Sequence, residues 1–257
     1  MTDRYDVAVV GASIAGCTAA LACHARGARV LLLEADPHAA GSESVGEWLH
    51  PPALDALEAL GVDLVPPVGY PTGKGFVLFP EDGSTPIALP YRAGRFGLAL
   101  PRGLLVETLR AHCAAQDGVD LVMPARATRA SAGTIAWEQS SKARCAGAER
   151  VLLAAGAPTH AAPRGEGSWS FGAVHRQPTY RLASLELVGA ELPFEGFRHL
   201  FAGGPGPAIA YRIGPSVIRL TLDVPLGARM PREGGLALFE AYAPALPPSL
   251  TGAFADA

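Results

Sequence analysis

The first apolar run of the chain, residues 7–10, follows the polar Asp6 and is closed by Gly11. Consecutive aliphatic residues bounded by a turn former predict a strand buried on both faces. Residues 15–26 are rich in alanine and other small side chains and predict a helix, which Gly27 ends. A second apolar run at 30–33 stops at the acid Glu34 and predicts a second buried strand. Strand, helix and strand in this order predict a βαβ unit with parallel strands.

Further along, residues 36–44 are small and polar and predict a loop. Leu54, Leu57 and Leu60 lie at helical spacing and predict a helix over 53–60, capped by Gly61. Residues 75–80 and 86–89, joined by the turn 81–84, predict a hairpin. Leu105 and Leu109 share one face of a helix predicted from Arg102 to about residue 115. Strands are expected at 119–123, 134–137 and 150–154, with a polar loop between the last two. Beyond Ser168 the pattern alternates at 180–188, 198–202, 208–213 and 217–224, with Gly/Pro breaks between segments. That pattern predicts an antiparallel sheet, followed by a short helix at 235–242.

The fold class is therefore α/β: a Rossmann-like domain interrupted by an antiparallel or mixed β-sheet domain. The expected boundaries are 1–65 for the first part of the Rossmann-like domain and 66–98 for a hairpin of the sheet domain, with 99–164 as the second part of the Rossmann-like domain and 165–257 as the remaining sheet.

The turn after the first strand reads Gly11-Ala12-Ser13-Ile14-Ala15-Gly16. A helix N-terminus directs free N–H groups and the positive end of the helix dipole at a pyrophosphate. Gly11 permits the sharp turn and Gly16 permits close helix–strand packing. Ser13 replaces the usual middle glycine, and its Cβ narrows the backbone's approach to the phosphate. Glu34, followed by Ala35, would accept hydrogen bonds from ribose hydroxyls. An acid at this point suits FAD or NAD equally.

Composition narrows the function classes. Of 257 residues, 49% are hydrophobic and 18% charged, enough apolar material for a packed core. A net charge of −3, with arginines spread along the chain, gives no basic surface for nucleic acid. No run of eighteen apolar residues is present, so no transmembrane helix is expected. The first strand is entered by Tyr5, which leaves no room for a signal peptide. A cytoplasmic location is expected, with peripheral membrane attachment left open. Cys17, Cys23, Cys113 and Cys145 lack metal-ligand spacing and suit reduced thiols. The histidines are scattered, and no metal site is assigned.

In combination and order, these segments resemble the FAD-dependent monooxygenases with the para-hydroxybenzoate hydroxylase fold, and among them the squalene monooxygenases (squalene epoxidases). Val45-Gly46-Glu47-Trp48-Leu49-His50-Pro51 resembles that family's V-G-E-x-L-x-P segment. Arg102, Leu105 and Leu109 match its R-x-x-L-x-x-x-L helix, whose arginine lies on the flavin side; Arg95 is a weaker candidate for that role. Residues 206–214 and 219–224 resemble its substrate-domain strands, and 246–250 the turn after the next helix. The resemblance implies FAD as cofactor and oxygen transfer from a flavin C4a-hydroperoxide to an apolar alkene. It implies no metal and no nucleophile on the protein. NAD(P)H or a partner reductase would supply electrons.

Phe76, Tyr180, Phe201, Ile209 and Tyr211 are candidate pocket residues, and each would serve equally as sheet core. No cluster of charged residues is expected there; Arg212 and Arg219 read as isolated and solvated at strand edges. Three departures stand out. Glu43-Ser44 occupies the place of an arginine, and Ala154-Ala155-Gly156 that of an A-D-G loop. Ala155 cannot accept the aspartate's hydrogen bond, although Gly156 is retained. The family's G-D segment is expected beyond Ala257, so turnover by this chain alone is not expected. Another enzyme of the same fold and a non-catalytic remnant remain alternatives.

Overall fold

A computed structural model describes residues 3–38, 48–65, 68–70, 72–131, 133–156, 180–227 and 235–252. The first elements are β1 (Arg4–Val10), α1 (Ile14–His24), β2 (Val30–Leu33), β3 (Trp48–Leu49) and α2 (Pro51–Glu58). Next come β4 (Thr72–Gly73), β5 (Gly75–Phe79), β6 (Ile87–Pro90), β7 (Gly97–Ala99) and α3 (Arg102–Ala114). Then follow β8 (Val119–Val122), β9 (Arg126–Ser131), β10 (Thr134–Gln139) and β11 (Lys142–Leu153). The last are β12 (Tyr180–Val188), β13 (Phe197–Phe201), β14 (Ala208–Arg212), β15 (Val217–Pro225), α4 (Gly235–Tyr242) and α5 (Pro248–Thr251). The chain divides into two compact units. One comprises Met1–Glu43, Ala56–Leu64 and Arg102–Val174; the other comprises Ser44–Asp55, Val65–Pro101 and His175–Ala257.

In the first unit the strand order is β8-β2-β1-β11-β10-β9. Strands β8, β2, β1 and β11 run parallel, and β11, β10 and β9 form an antiparallel meander. Both faces of β1 and β2 are covered, as their unbroken apolar runs require. Helices α1 and α3 lie together, with Cys17 and Cys113 buried where they meet. On the meander side, Ala8, Leu31 and Leu33 pack with Ile135, Ala146 and Ala148. The segment before residue 150, expected as a polar loop, is instead strand. Ser140 and Ser141, with φ of 49° and 61°, make a two-residue hairpin turn, and β11 runs unbroken from Lys142. Strand β9 is a further departure: its positions hold arginine, alanine, threonine and serine, with no apolar alternation to predict it.

In the second unit the main sheet has the order β12-β15-β14-β13-β5-β6. It is mixed rather than purely antiparallel, since β13 pairs with β5 in parallel. On one face Phe201, Ile218, Leu220 and Leu222 pack with Phe239 and Tyr242 of α4. The other face carries Phe76, Arg198, Tyr211, Arg219 and Leu182, as the register and the two-residue period of a strand dictate. A small antiparallel sheet, β3-β7-β4, brings Trp48 and Ala99 against Tyr211 and Ile213 on that second face.

His199 lies in the closed face, fully buried beside the rings of Phe79, Phe194 and Phe201. Its Nε2 accepts from the Phe194 N–H at 3.2 Å, which leaves Nδ1–H to donate to the Phe197 carbonyl at 3.0 Å. Burial pushes its pKa down to about 4, against the opposing influence of the Phe197 carbonyl and Glu195. The unfolded chain therefore takes up a proton near pH 6.5 that the folded chain refuses until about pH 4. The His199 contribution to stability is complete above pH 6.5 and is lost as pH falls towards 4, a change on the order of 3 kcal/mol. Urea unfolding at pH 7 and pH 4.5 checks this: a His199→Gln variant should show a smaller pH dependence than the wild type, and an unchanged one would contradict it.

Candidate functional site

The sequence-predicted nucleotide residues come together at the C-terminal ends of the parallel strands. Gly11 has φ of +101°, and a Cβ there would lie 2.5 Å from the Ala154 carbonyl oxygen. A Cβ on Gly16 would lie 1.7 Å from the Gly11 carbonyl oxygen, so only glycine fits where α1 crosses the turn. The Ala154 N–H donates to the Val10 carbonyl at 2.8 Å, which sets the loop after β11 beside the Gly11 turn. Gly156, with φ of +81°, follows in that loop, and the Ala155 side chain offers no acceptor there.

Helix α1 starts without a side-chain cap. Ser13 stands at the capping position, yet its Oγ accepts from an Arg102 terminal nitrogen at 2.8 Å. Ile14 and Ala15 open the helix behind it. The result is an uncapped helix N-terminus with a guanidinium beside it, a setting that favours an anion.

Glu34 is tied into the same edge. Its Oε2 accepts from the Ala12 N–H at 2.7 Å and pairs with an Arg110 terminal nitrogen at 3.2 Å. Arg110 also donates from Nε to the Ala12 carbonyl and from its other terminal nitrogen to the Pro37 carbonyl, each at 2.7 Å. The Arg110 and Glu34 side chains are 7% and 12% exposed, so this ion pair is withdrawn from water. Oε1 accepts from the Asp36 N–H at 2.9 Å, and a carboxylate oxygen has capacity for a further donor such as a ribose hydroxyl. Ala35, exposed, follows Glu34 in the chain. Sequence alone does not single out Arg110, because a lone arginine eight residues after Arg102 reads as a solvated helix position.

In the second unit, a polar chain runs through an aromatic cluster. Trp48 Nε1–H donates to the Tyr91 hydroxyl at 3.0 Å, and that hydroxyl lies 2.8 Å from His50 Nδ1. Trp48 can only donate, so the tyrosine proton is available to His50. The His50 ring stacks on Phe76 at 5.3 Å, and Trp48 meets Tyr211 edge-on at 5.7 Å. Partial burial first, and the Arg198 charge second, hold the His50 pKa below its ordinary value. Burial raises that of Tyr91. Both groups are thus neutral at pH 7.

Of the candidate pocket residues, Phe76, Ile209 and Tyr211 share this face, and Tyr180 lies on it at the exposed outer strand. Phe201 points to the opposite face and is 1% exposed in the closed core. Arg95 pairs with Asp55 in the second unit. Arg212 and Arg219 are not solvated at strand edges. Arg212 holds Glu195 with two bonds of 2.9 and 3.1 Å, and Arg219, on the interior strand β15, pairs with Glu186 at 3.0 Å. Gly46, Glu47, Glu43 and Ser44 lie outside the described residues. Among the described residues, no group of three or more His, Cys, Asp or Glu side chains is placed to hold a metal, and no helix is long and apolar enough to cross a membrane.

The family model "FAD dependent oxidoreductase" matches residues 6–85. Squalene epoxidase erg1 of Aspergillus fumigatus is 27% identical over 281 residues, covering 98% of this chain and 54% of that protein. Squalene epoxidase 3 of Arabidopsis thaliana is 27% identical, covering 98% of this chain and 49% of that protein. This is the fold of an FAD-dependent oxidoreductase, in a chain whose sequence is squalene-epoxidase-like. The chain spans about half the length of the curated squalene epoxidases it matches. Among solved structures, the flavin-dependent halogenase CmlS aligns with a TM-score of 0.77 at 18% identity, covering 95% of this chain and 46% of that one. The p-nitrophenol 4-monooxygenase PnpA of Pseudomonas putida aligns with a TM-score of 0.73 at 16% identity, covering 97% and 65%.

The residues present fit FAD. The uncapped α1 terminus and Arg102 suit a pyrophosphate, and Glu34 Oε1 suits a ribose hydroxyl. Ala155 gives nothing to the cofactor where an acid is expected.

Removing Arg110 leaves the Glu34 charge and two carbonyls without their partner. An Arg110→Met variant should therefore lose ~3–5 kcal/mol of stability in urea unfolding. In a Glu34→Gln background the same change should cost measurably less, because the stranded charge is gone. Equal costs in both backgrounds would show that the two side chains are not coupled.

Proposed function

We propose that this chain serves a flavin monooxygenase that oxidises a double bond in a largely apolar substrate. The first unit binds FAD, and the aromatic face of the second unit binds the alkene. The observation that carries the reading is that face: Phe76, Ile209 and Tyr211 share it with Trp48, and the nearby Tyr91 and His50 are neutral. Similarity to squalene epoxidases over nearly the whole chain supports the alkene over a phenol.

Reduced FAD, when bound, supplies the activation of dioxygen. The chain's own residues bind, orient and exclude water. Gly11, Ala12, Ser13, Ile14, Ala15 and Gly16 form the turn that receives the pyrophosphate, with Arg102 adding positive charge and Gly156 bordering the turn. Glu34, held by Arg110, takes the adenosine ribose. Phe76 and Ile209, both half-buried, offer apolar surface to the substrate, Tyr211 packs behind them as a buried ring, and Tyr180 lies at the outer limit. The Trp48–Tyr91–His50 chain holds these rings in one arrangement and gives the face a hydroxyl without a charge. NAD(P)H or a reductase would deliver the electrons.

The test is product analysis on a version of the chain extended to carry the expected G-D segment, with reduced FAD and isotopically labelled dioxygen, offering squalene beside para-hydroxybenzoate. The expected result is a labelled epoxide from the alkene and no hydroxylated benzoate. Oxidation of the phenol alone would overturn the alkene reading in favour of an aromatic hydroxylase.

A further inference from the structure

Three arginines of the second unit are partly or fully withdrawn from solvent among the described residues: Arg198, Arg212 and Arg219. Arg212 is neutralised by Glu195 and Arg219 by Glu186. No carboxylate among the described residues pairs with Arg198. Its guanidinium lies over the Tyr211 ring, 5.0 Å from the ring centre, and its Nε is sealed from water without a hydrogen-bond partner. Register places Arg198 opposite Phe76, on the face assigned to the substrate rather than on the closed one. The titratable groups that feel its charge are His50 and Tyr91, both neutral at pH 7.

A partly buried charge is costly to maintain without a counter-ion, and the cation–π contact with Tyr211 offsets only part of that cost. With Nε enclosed, only the two terminal nitrogens can meet a ligand. Two parallel N–H donors suit the two oxygens of a carboxylate. The neighbouring His50 adds to the match. With the Tyr91 hydroxyl donating to Nδ1, the imidazole's own proton sits on Nε2, which makes it a further donor.

We propose that Arg198 is a specificity-determining residue that holds an anionic oxygen headgroup, of the carboxylate kind, on an otherwise apolar unsaturated substrate. This rests on the reading of that face as the substrate surface, and it narrows the substrate from a pure hydrocarbon to an amphipathic alkene. The aromatic rings receive the chain, and Arg198 fixes one end of it. Such an anchor sets which double bond along the chain is presented, because the distance from the headgroup becomes fixed.

The inference is tested by binding alone. Undecylenate and its methyl ester share one terminal alkene and differ in the charged head. Their affinities for the FAD-loaded protein can be measured by calorimetry in wild type, Arg198→Met and Arg198→Lys. The acid should bind wild type about tenfold or more tightly than the ester, the strength expected of a charge-assisted pair. Arg198→Met should abolish that preference by weakening the acid far more than the ester, and Arg198→Lys should retain part of it. Equal affinity for acid and ester in wild type would overturn the anchor and leave the apolar face standing. Acid preference surviving in a folded Arg198→Met variant would overturn the assignment to Arg198. Binding of neither probe by the flavin-loaded protein would overturn both readings. Should the Met variant fail to fold, the wild-type ratio and the Lys variant still decide.

Discussion

The buried Arg110 guanidinium is the interaction on which the cofactor edge depends. It reaches from α3 to three separate pieces of backbone or side chain: the Ala12 carbonyl in the glycine turn, the Glu34 carboxylate at the end of β2, and the Pro37 carbonyl beyond it. The near-contact of Gly16 with the Gly11 carbonyl then locks α1 against the same turn. One cation and one pair of glycines thus convert a generic βαβ unit into an edge with an uncapped helix end and a fixed acid. A charged pair this well enclosed adds little net stability by itself. Its value is positional, because removing either partner strands the other.

The second unit follows a different logic. A mixed sheet divides its side chains by strict alternation, and the two faces have unlike chemistry. One face is closed by aliphatic and aromatic packing against α4, with His199 kept neutral within it. The other mixes aromatic rings with two arginines, Arg219 neutralised by Glu186 and Arg198 resting on the Tyr211 ring. Trp48, brought in by the small β3-β7-β4 sheet, joins this face to Tyr91 and His50 through hydrogen bonds. Polar groups inside an apolar surface are tolerable when each has a partner. That rule makes the exception at Arg198 informative.

What the sequence discloses, and what it hides, follows from range. The βαβ unit is legible to the residue at β2, because glycine turns and buried aliphatic runs act within a few positions. The β5–β6 hairpin and the strands β12 to β15 are legible for the same reason. The continuation of β11 across a polar stretch is not, since its outer residues face solvent and its pairing partners, β1 and β10, are set by the tertiary fold. Phe201 illustrates the limit of alternation: the pattern marks it as inward-facing without saying which face of the sheet is meant. Arg110, His50, Tyr91 and Arg198 stay hidden because their roles come from neighbours remote in the chain. Isolated polar residues in a sequence default to a solvated reading, and only three-dimensional proximity corrects it.

We propose that the glycine turn, Arg102 and the clamped Glu34 form one FAD site. It is tested most directly by titrating FAD with purified chain and following flavin fluorescence, with ADP as competitor. Saturable one-to-one binding that ADP displaces, and that an Arg102→Met variant weakens by roughly tenfold, is the predicted result. A folded chain that binds no flavin, or flavin that ADP leaves in place, would contradict it.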